Sequence, residues 1–294
     1  MSGRRVLITG AGSGLGRELA RCYAERGDRV ACVDMYADRA QETCKLLTGG
    51  GHMALVADVG SDAAMAALKG QVMGAWGGLD VLVNNAGIAC GGECAHVSAA
   101  EWQRTLNINL MGVGRGVREF VPMMEPEGNG LVINVASFAG LAGAPGLGAY
   151  GVSKAAVVAL SEGMRAELIG KGIVVSVSAR ASSRPICWTL SRGACDAPMK
   201  HMVAKLMEKS PDQRQRCCAL HGRAAETNVV VSCYCRTGHP HPLAARALLL
   251  GLYFKELPEV RGQERLQGRR SERRSSDLGR RARKRYPAIL AWIR

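Results

Sequence analysis

The sequence predicts a doubly wound α/β fold: a parallel sheet with helices on both faces, in three layers. Three observations carry this. Short apolar runs alternate with amphipathic stretches through residue 177. A glycine-rich turn joins the first apolar run to the first helical pattern, and an aspartate ends the second run. Strands that are apolar throughout, each followed by a helix, belong to a sheet buried on both sides.

The elements follow in order. Arg5–Thr9 (RVLIT) is the first strand, followed by a helix over 15–26 that ends at Gly27-Asp28. Residues 29–33 (RVACV) give a second strand, with a helix at 37–47, a strand at 52–57 and a helix over Asp62–Trp76. A fourth strand spans 81–83 and runs into NNAG at 84–87; one long helix over 99–123 and a strand over Gly130–Val135 follow. After a loop rich in Gly and Ala come a helix at 150–169 and a sixth strand at 174–177. Right-handed crossovers then give the doubly wound order.

Beyond Ser178 the pattern changes. Residues 179–195 have no clear period, and no last strand or covering helix is evident further on, although 196–210 (DAPMKHMVAKLMEKS) again reads as an amphipathic helix. The expected organisation is one large α/β domain over 1–210 and a basic, Cys- and Arg-rich tail over 211–294.

The net charge of +14 resembles a nucleic-acid signal until its distribution is read. Residues 1–210 hold 21 basic and 18 acidic side chains, whereas residues 211–294 hold 18 and 7. The excess concentrates at 261–285, where no aromatics interleave the arginines to stack on bases. A solvated basic tail is expected there, with electrostatic docking of an anionic partner as the alternative. No apolar run approaches the ~18 residues that span a bilayer. No signal-peptide core precedes the first strand, and the 11 cysteines form no even framework. A reducing cytoplasm with free thiols is the expectation. Cys233 and Cys235 with His239 and His241 offer zinc-ligand types, but they are crowded and have no second half-site, so no metal is predicted. Cys90, Cys94 and His96 follow NNAG and are read as packing in a loop.

Three features carry chemistry. Gly10, Ser13, Gly14, Leu15 and Gly16 stand at the first strand–helix junction, where glycine lets the backbone approach a pyrophosphate held by the helix N-terminus. Asp34 ends the second strand about 20 residues further on, placed to bind ribose hydroxyls and to repel a 2′-phosphate. NAD is preferred over NADP on this ground; Arg39 nearby keeps NADP open, and a turn-capping role for Asp34 is the plain alternative. Tyr150 and Lys154 lie four apart on one helix face. A cation there favours the phenolate, which suits Tyr150 to acid/base work.

The set TGAGSGLG at 9–16, Asp58, NNAG at 84–87, Asn109, Ser137 and Tyr150/Lys154 occurs in this order. It resembles the motif set of the short-chain dehydrogenase/reductases, over residues 4 to about 177. The resemblance implies a Rossmann fold and reversible hydride transfer between a nicotinamide and a carbonyl or secondary alcohol. It implies that Tyr150 exchanges the substrate proton, that Lys154 binds the nicotinamide ribose and lowers the tyrosine pKa, and that Ser137 hydrogen-bonds the reacting oxygen. Asn109 would hold a water linking Lys154 to solvent. Asp58 and Val59 would border the adenine, and Asn85, Ala86 and Gly87 the cofactor floor, while Asn84 ties neighbouring strands. A small-molecule alcohol or carbonyl substrate and a homodimer or homotetramer are implied as well. Phe138, Leu141, Ala144, Pro145 and Leu147 suggest an apolar entrance.

The sequence leaves the family pattern after strand six, where a Pro-Gly turn and a threonine are usual. Residues 178–191 read SARASSRPICWTLS instead. Permissible codons for this stretch, read in a neighbouring frame, can yield Cys-Pro-Gly-Phe-Phe-Ala-Thr-Asn-Leu-Leu-Asp-Ser-Phe, which looks like the missing segment. A frame change near Ser178, restored near Gly193, with a second after Ser210, is the reading that follows. For the chain as written, a dinucleotide-binding protein without turnover is the rival to the enzyme.

Overall fold

The apolar runs do become strands of one sheet. The computed structural model describes residues 3–137, 139–142, 146–179 and 231–233. The chain divides into two compact units, Met1–Leu248 and Leu249–Arg294, and all described residues belong to the first. Its strands are β1 (Arg5–Thr9), β2 (Arg29–Asp34), β3 (Met53–Val56), β4 (Val81–Asn84), β5 (Gly130–Val135), β6 (Ile173–Ala179) and β7 (Val231–Cys233). They pair in parallel in the order β3-β2-β1-β4-β5-β6-β7. The seventh strand corrects the expectation of six. The strand is only three residues long, Val231–Cys233, and sits among polar and Cys-rich sequence that hides it.

The helices are α1 (Gly14–Ala24), α2 (Ala37–Lys45), α3 (Asp62–Trp76), α4 (Ala99–Leu106), α5 (Gly112–Met124), α6 (Ala139–Ala142) and α7 (Gly148–Leu168). Alternate residues of each strand feed opposite layers. Leu7, Val33, Leu82 and Val132 pack against α3, α5 and α7 through Leu68, Phe120 and Met164. Val6, Ile8, Val30 and Val83 pack against α1 through Leu19 and Tyr23. Capping fixes several ends. The Ser61 hydroxyl accepts from the Ala64 amide to start α3, and Gly77, at φ 68°, stops it. Ser98 and Glu101 form a reciprocal capping box at α4.

Two local expectations change. The helix expected over 99–123 is interrupted by a π-helical turn at Asn107–Met111. Such wide turns are rare and recur at functional sites. The Gly/Ala loop after β5 also contains the short α6. Cys32, Cys44, Cys90 and Cys94 are free thiols, whereas Cys22 is disulfide-bonded, a departure from thiols throughout. Among the described residues no helix is long and apolar enough to cross a membrane. The segment 180–192, the helix expected at 196–210, the Cys/His cluster's side chains and the run 261–285 lie outside the described residues.

A buried polar ladder crosses the layers. The Asn84 side-chain amide donates to Asn134 Oδ1 at 2.9 Å, Asn134 donates to Ser161 Oγ at 3.0 Å, and Ser161 donates to the Val157 carbonyl at 2.7 Å. This gives Asn84 the strand-tying role expected of it. It also fixes Gly116 of α5, where a Cβ would overlap Asn84 Oδ1.

Gly116→Ala is therefore expected to lower stability by about 1–3 kcal/mol in urea denaturation, because the clash falls on a satisfied buried amide. Gly163→Ala, with open space around an exposed helical position, should raise it by ~0.5–1 kcal/mol. Burial pushes the Tyr23 phenol and the Cys32 thiol each up to about 12. Both therefore hold their protons more tightly folded than unfolded. Their stabilisation is complete below the unfolded values of 9.0 and 10.0 and is lost as pH rises towards about 12. The urea midpoint should fall as pH rises from about 9 towards about 12, and Tyr23→Phe should flatten that fall.

Candidate active site

The site begins where β1 ends. Gly10 and Gly14 take left-handed backbone, φ 65° and 52°. A Cβ on Gly16 would overlap the Gly10 carbonyl, so helix α1 can approach the turn this closely only with glycine there. Three side chains set the shape of the turn. Asp34, 9% exposed at the end of β2, accepts from the Gly12 amide at 3.0 Å and the Tyr36 amide at 3.1 Å. The Thr43 hydroxyl donates to the Ala11 carbonyl at 2.9 Å, and Arg17 donates to both the Gly12 carbonyl and Thr43. Ser13 makes no side-chain cap at the start of α1, and the first turn holds no acidic residue. The positive end of the helix is thus left for an anion. The Arg39 guanidinium stands 4.4 Å over the Tyr36 ring beside this edge.

Residues 84–87 are stitched to the same turn. Thr9 Oγ1 accepts from the amides of Asn85 and Ala86 at 3.0 and 3.1 Å. The Asn85 side chain donates to the carbonyls of Thr9 and Gly10 at 2.9 and 3.2 Å. A Cβ on Gly10 would come to 2.9 Å of Ala86 Cα. After β3, Asp58 is exposed and accepts from the Gly60 amide at 2.8 Å, while Val59 is buried.

The remaining residues converge from three elements. Asn109, fully buried in the π-turn, accepts from the Ile88 amide at 2.8 Å and donates to the Ile88 carbonyl at 2.9 Å and Ser153 Oγ at 3.0 Å. Ser153 in turn donates to the Tyr150 carbonyl at 2.7 Å. Lys154 is 4% exposed, and its ammonium donates to the Val135 carbonyl at 2.8 Å and lies 6.0 Å from the centre of the Tyr150 ring. A Cβ on Gly87 would come to 3.2 Å of Asn109 Oδ1 and 3.3 Å of Lys154 Nζ, so Gly87 admits both groups to one spot. Ser137 follows β5, and its hydroxyl accepts from the Ala139 amide at 3.2 Å.

Every expected site residue therefore lies at the carboxyl end of the sheet or on the helices that cover it, where doubly wound folds bind ligands. Leu141 and Leu147 of the expected entrance lie nearby in sequence to Ser137 and Tyr150, while Phe138, Ala144 and Pro145 are outside the described residues. Sequence reasoning gave no role to Arg17, Thr43 and Ser153, nor to the hydroxyl of Thr9. Thr9 and Ser153 stand inside motifs already singled out, which was the available signal; the others are recognisable only through contacts distant in sequence.

The glycine turn, its uncapped helix end and the carboxylate of Asp34 fit a dinucleotide: an anion would meet the positive end of α1, and Asp34 stands at the adjoining strand end. The family profile described as short chain dehydrogenase matches residues 4–182. Ketoacyl reductase HetN of Nostoc sp. is 37% identical over 179 residues, covering 60% of this chain and 62% of that one. The D-threitol dehydrogenase of Mycolicibacterium smegmatis is 33% identical over 209 residues, covering 70% of this chain and 79% of that one. A short chain dehydrogenase/reductase from Burkholderia phymatum, solved in complex with NAD, superposes with TM-score 0.73 at 26% identity, over 87% of this chain and 96% of that one. On its motifs, its strand order and these matches together, the chain belongs to the short-chain dehydrogenase family.

Proposed function

We propose that the protein is an NAD(H)-dependent oxidoreductase that interconverts a secondary alcohol and a ketone, with Tyr150 as the acid/base. The observation that carries this reading is the buried Lys154 ammonium beside the Tyr150 ring, on the helix that Asn109 grips through Ser153. Gly10, Ser13, Gly14, Leu15 and Gly16 would hold the pyrophosphate, Asp34 the adenine ribose, Asp58 and Val59 the adenine border, and Asn85, Ala86 and Gly87 the floor beneath the nicotinamide.

When bound, the nicotinamide supplies or accepts a hydride at carbon. The chain supplies the proton and the geometry. In the reducing direction Ser137 donates a hydrogen bond to the carbonyl oxygen, and Tyr150 gives that oxygen its phenolic proton. The hydroxyl forms as the phenol O–H bond breaks, leaving a phenolate that the Lys154 cation stabilises. A proton from solvent then restores the phenol. Oxidation runs through the same atoms in reverse. Asn109 keeps the π-turn against Ile88 and α7, beside the path by which a water would serve Lys154.

Asp34 supports NAD as the cofactor, because its carboxylate faces the turn and would repel a 2′-phosphate; stacking on Tyr36 occupies the face of the Arg39 guanidinium. The substrate proposed is a small to medium apolar alcohol or ketone, entering past Leu141 and Leu147. We also infer a cytoplasmic homodimer or homotetramer paired through the helices after β4 and β5, where Met111 and Val152 are half exposed.

Tyr150→Phe tests the mechanism. It should cut turnover by about 10²–10⁴-fold while NADH affinity stays within about twofold, as fluorescence titration would read. Turnover retained in the variant would remove the assigned role.

A further inference from the structure

Arg115 of α5 touches no part of the catalytic group, yet its side chain is only 10% exposed. Its guanidinium donates to Asp62 Oδ2 at 3.0 Å, the Val59 carbonyl at 3.2 Å, the Asn107 carbonyl at 3.3 Å and Asn107 Oδ1 at 2.9 Å. Asn107 completes the bracket by donating from its side-chain amide to the Gly60 carbonyl at 3.1 Å. Gly112 presses on the same loop, where a Cβ would come to 2.9 Å of Val59 Cγ2. Arg115 and Asn107 thus bolt the π-turn to residues 59–62, the loop that begins the adenine border. Two residues beyond Asn107, Asn109 bolts the same turn to Ile88 and Ser153.

We propose that Arg115 is a positioning residue that couples the adenine-side loop to the Asn109–Ser153–Tyr150 chain through the π-turn. The proposal rests on the dinucleotide reading given above. A π-turn is a poor hydrogen-bonding arrangement by itself and persists where surrounding contacts over-determine it. Arg115 supplies those contacts from one rigid fork of donors, a geometry that a lysine cannot reproduce. Without it, the buried Val59 carbonyl and the part-buried Asn107 side-chain oxygen lose this donor, and the turn is free to relax towards α-helical winding. Asn109 would then rotate by up to about 100°, the angle of one residue, away from the Ile88 amide.

Hydrogen exchange on the full-length chain reads this directly at the Ile88 amide, the donor to Asn109. In Arg115→Ala, ligand-free exchange at Ile88 should rise by about tenfold or more while amides of β1 and β5 change by less than about twofold. Arg115→Lys should give an intermediate rise, and millimolar guanidinium should restore protection to the alanine variant. ADP-ribose, which carries the adenine half without the nicotinamide, should slow exchange at Ile88 in the wild type and not in Arg115→Ala. In turnover, the variant should lose about tenfold in kcat with a displaced pH limb, and NADH affinity should change by less than about threefold. Unchanged exchange at Ile88, or a uniform rise across the sheet, overturns the proposal, the latter because it marks a purely structural residue. If ADP-ribose does not bind the wild type, the dinucleotide reading fails, and ligand-free exchange still decides the positioning role. Should Arg115→Ala not fold, Asn107→Ala leaves the Arg115 bonds to Asp62 and Val59 and reports on the same amide.

Discussion

The buried amide of Asn109 holds together three pieces of chain that are distant in sequence. Its oxygen takes the Ile88 amide after β4, and its nitrogen serves the Ile88 carbonyl and the Ser153 hydroxyl of α7. At full burial an amide that lost these partners would cost about 1–3 kcal/mol per unmet group, so the arrangement is strongly specified. Asn109 makes these bonds from within the π-turn, and an ordinary α-helical path through residues 107–111 would turn it elsewhere. Tyr150, Lys154 and Gly87 take their places around that point.

The parallel sheet supplies the frame. Paired positions such as Val33↔Leu55 and Asn84↔Asn134 bring the strand ends to one edge. The loops leaving that edge therefore start from fixed positions. Packing of Val157 and Val158 against the sheet sets α7 and carries Lys154 below the surface. A buried ammonium is unfavourable without acceptors, and the Val135 carbonyl at the end of β5 provides one. The same edge receives the glycine turn, which Asp34, Thr43 and Arg17 hold in shape. Both halves of the site are thus consequences of one sheet, and Thr9 joins them by accepting the amides of Asn85 and Ala86.

Much of this was legible in the sequence because the signals are local. Apolar runs located six strands, and the order of motifs from Thr9 to Lys154 named candidate site residues that the fold gathers at one end of the sheet. Asn84 was correctly read as a strand tie. What escaped depends on contacts far apart in the chain. An amphipathic stretch of 25 residues reads as one helix, and nothing in its period marks a wide turn at Asn107. Arg115 looks like a solvated charge until Asp62, Val59 and Asn107 close around it. The strand Val231–Cys233 is too short to stand out, and only its pairing with β6 makes it one. The family match ends at residue 182, close to Ser178, where the sequence leaves the family pattern.

Hydride chemistry at a carbonyl is the activity proposed for these residues. Single-turnover mixing of the full-length chain with NADH deuterated at both C4 positions, and a panel of small apolar ketones, tests it most directly. The expected product is an alcohol one mass unit heavier, with deuterium on the carbinol carbon, formed only when Tyr150 is intact. NADH that binds tightly yet yields no deuterated alcohol with any of the ketones would contradict it.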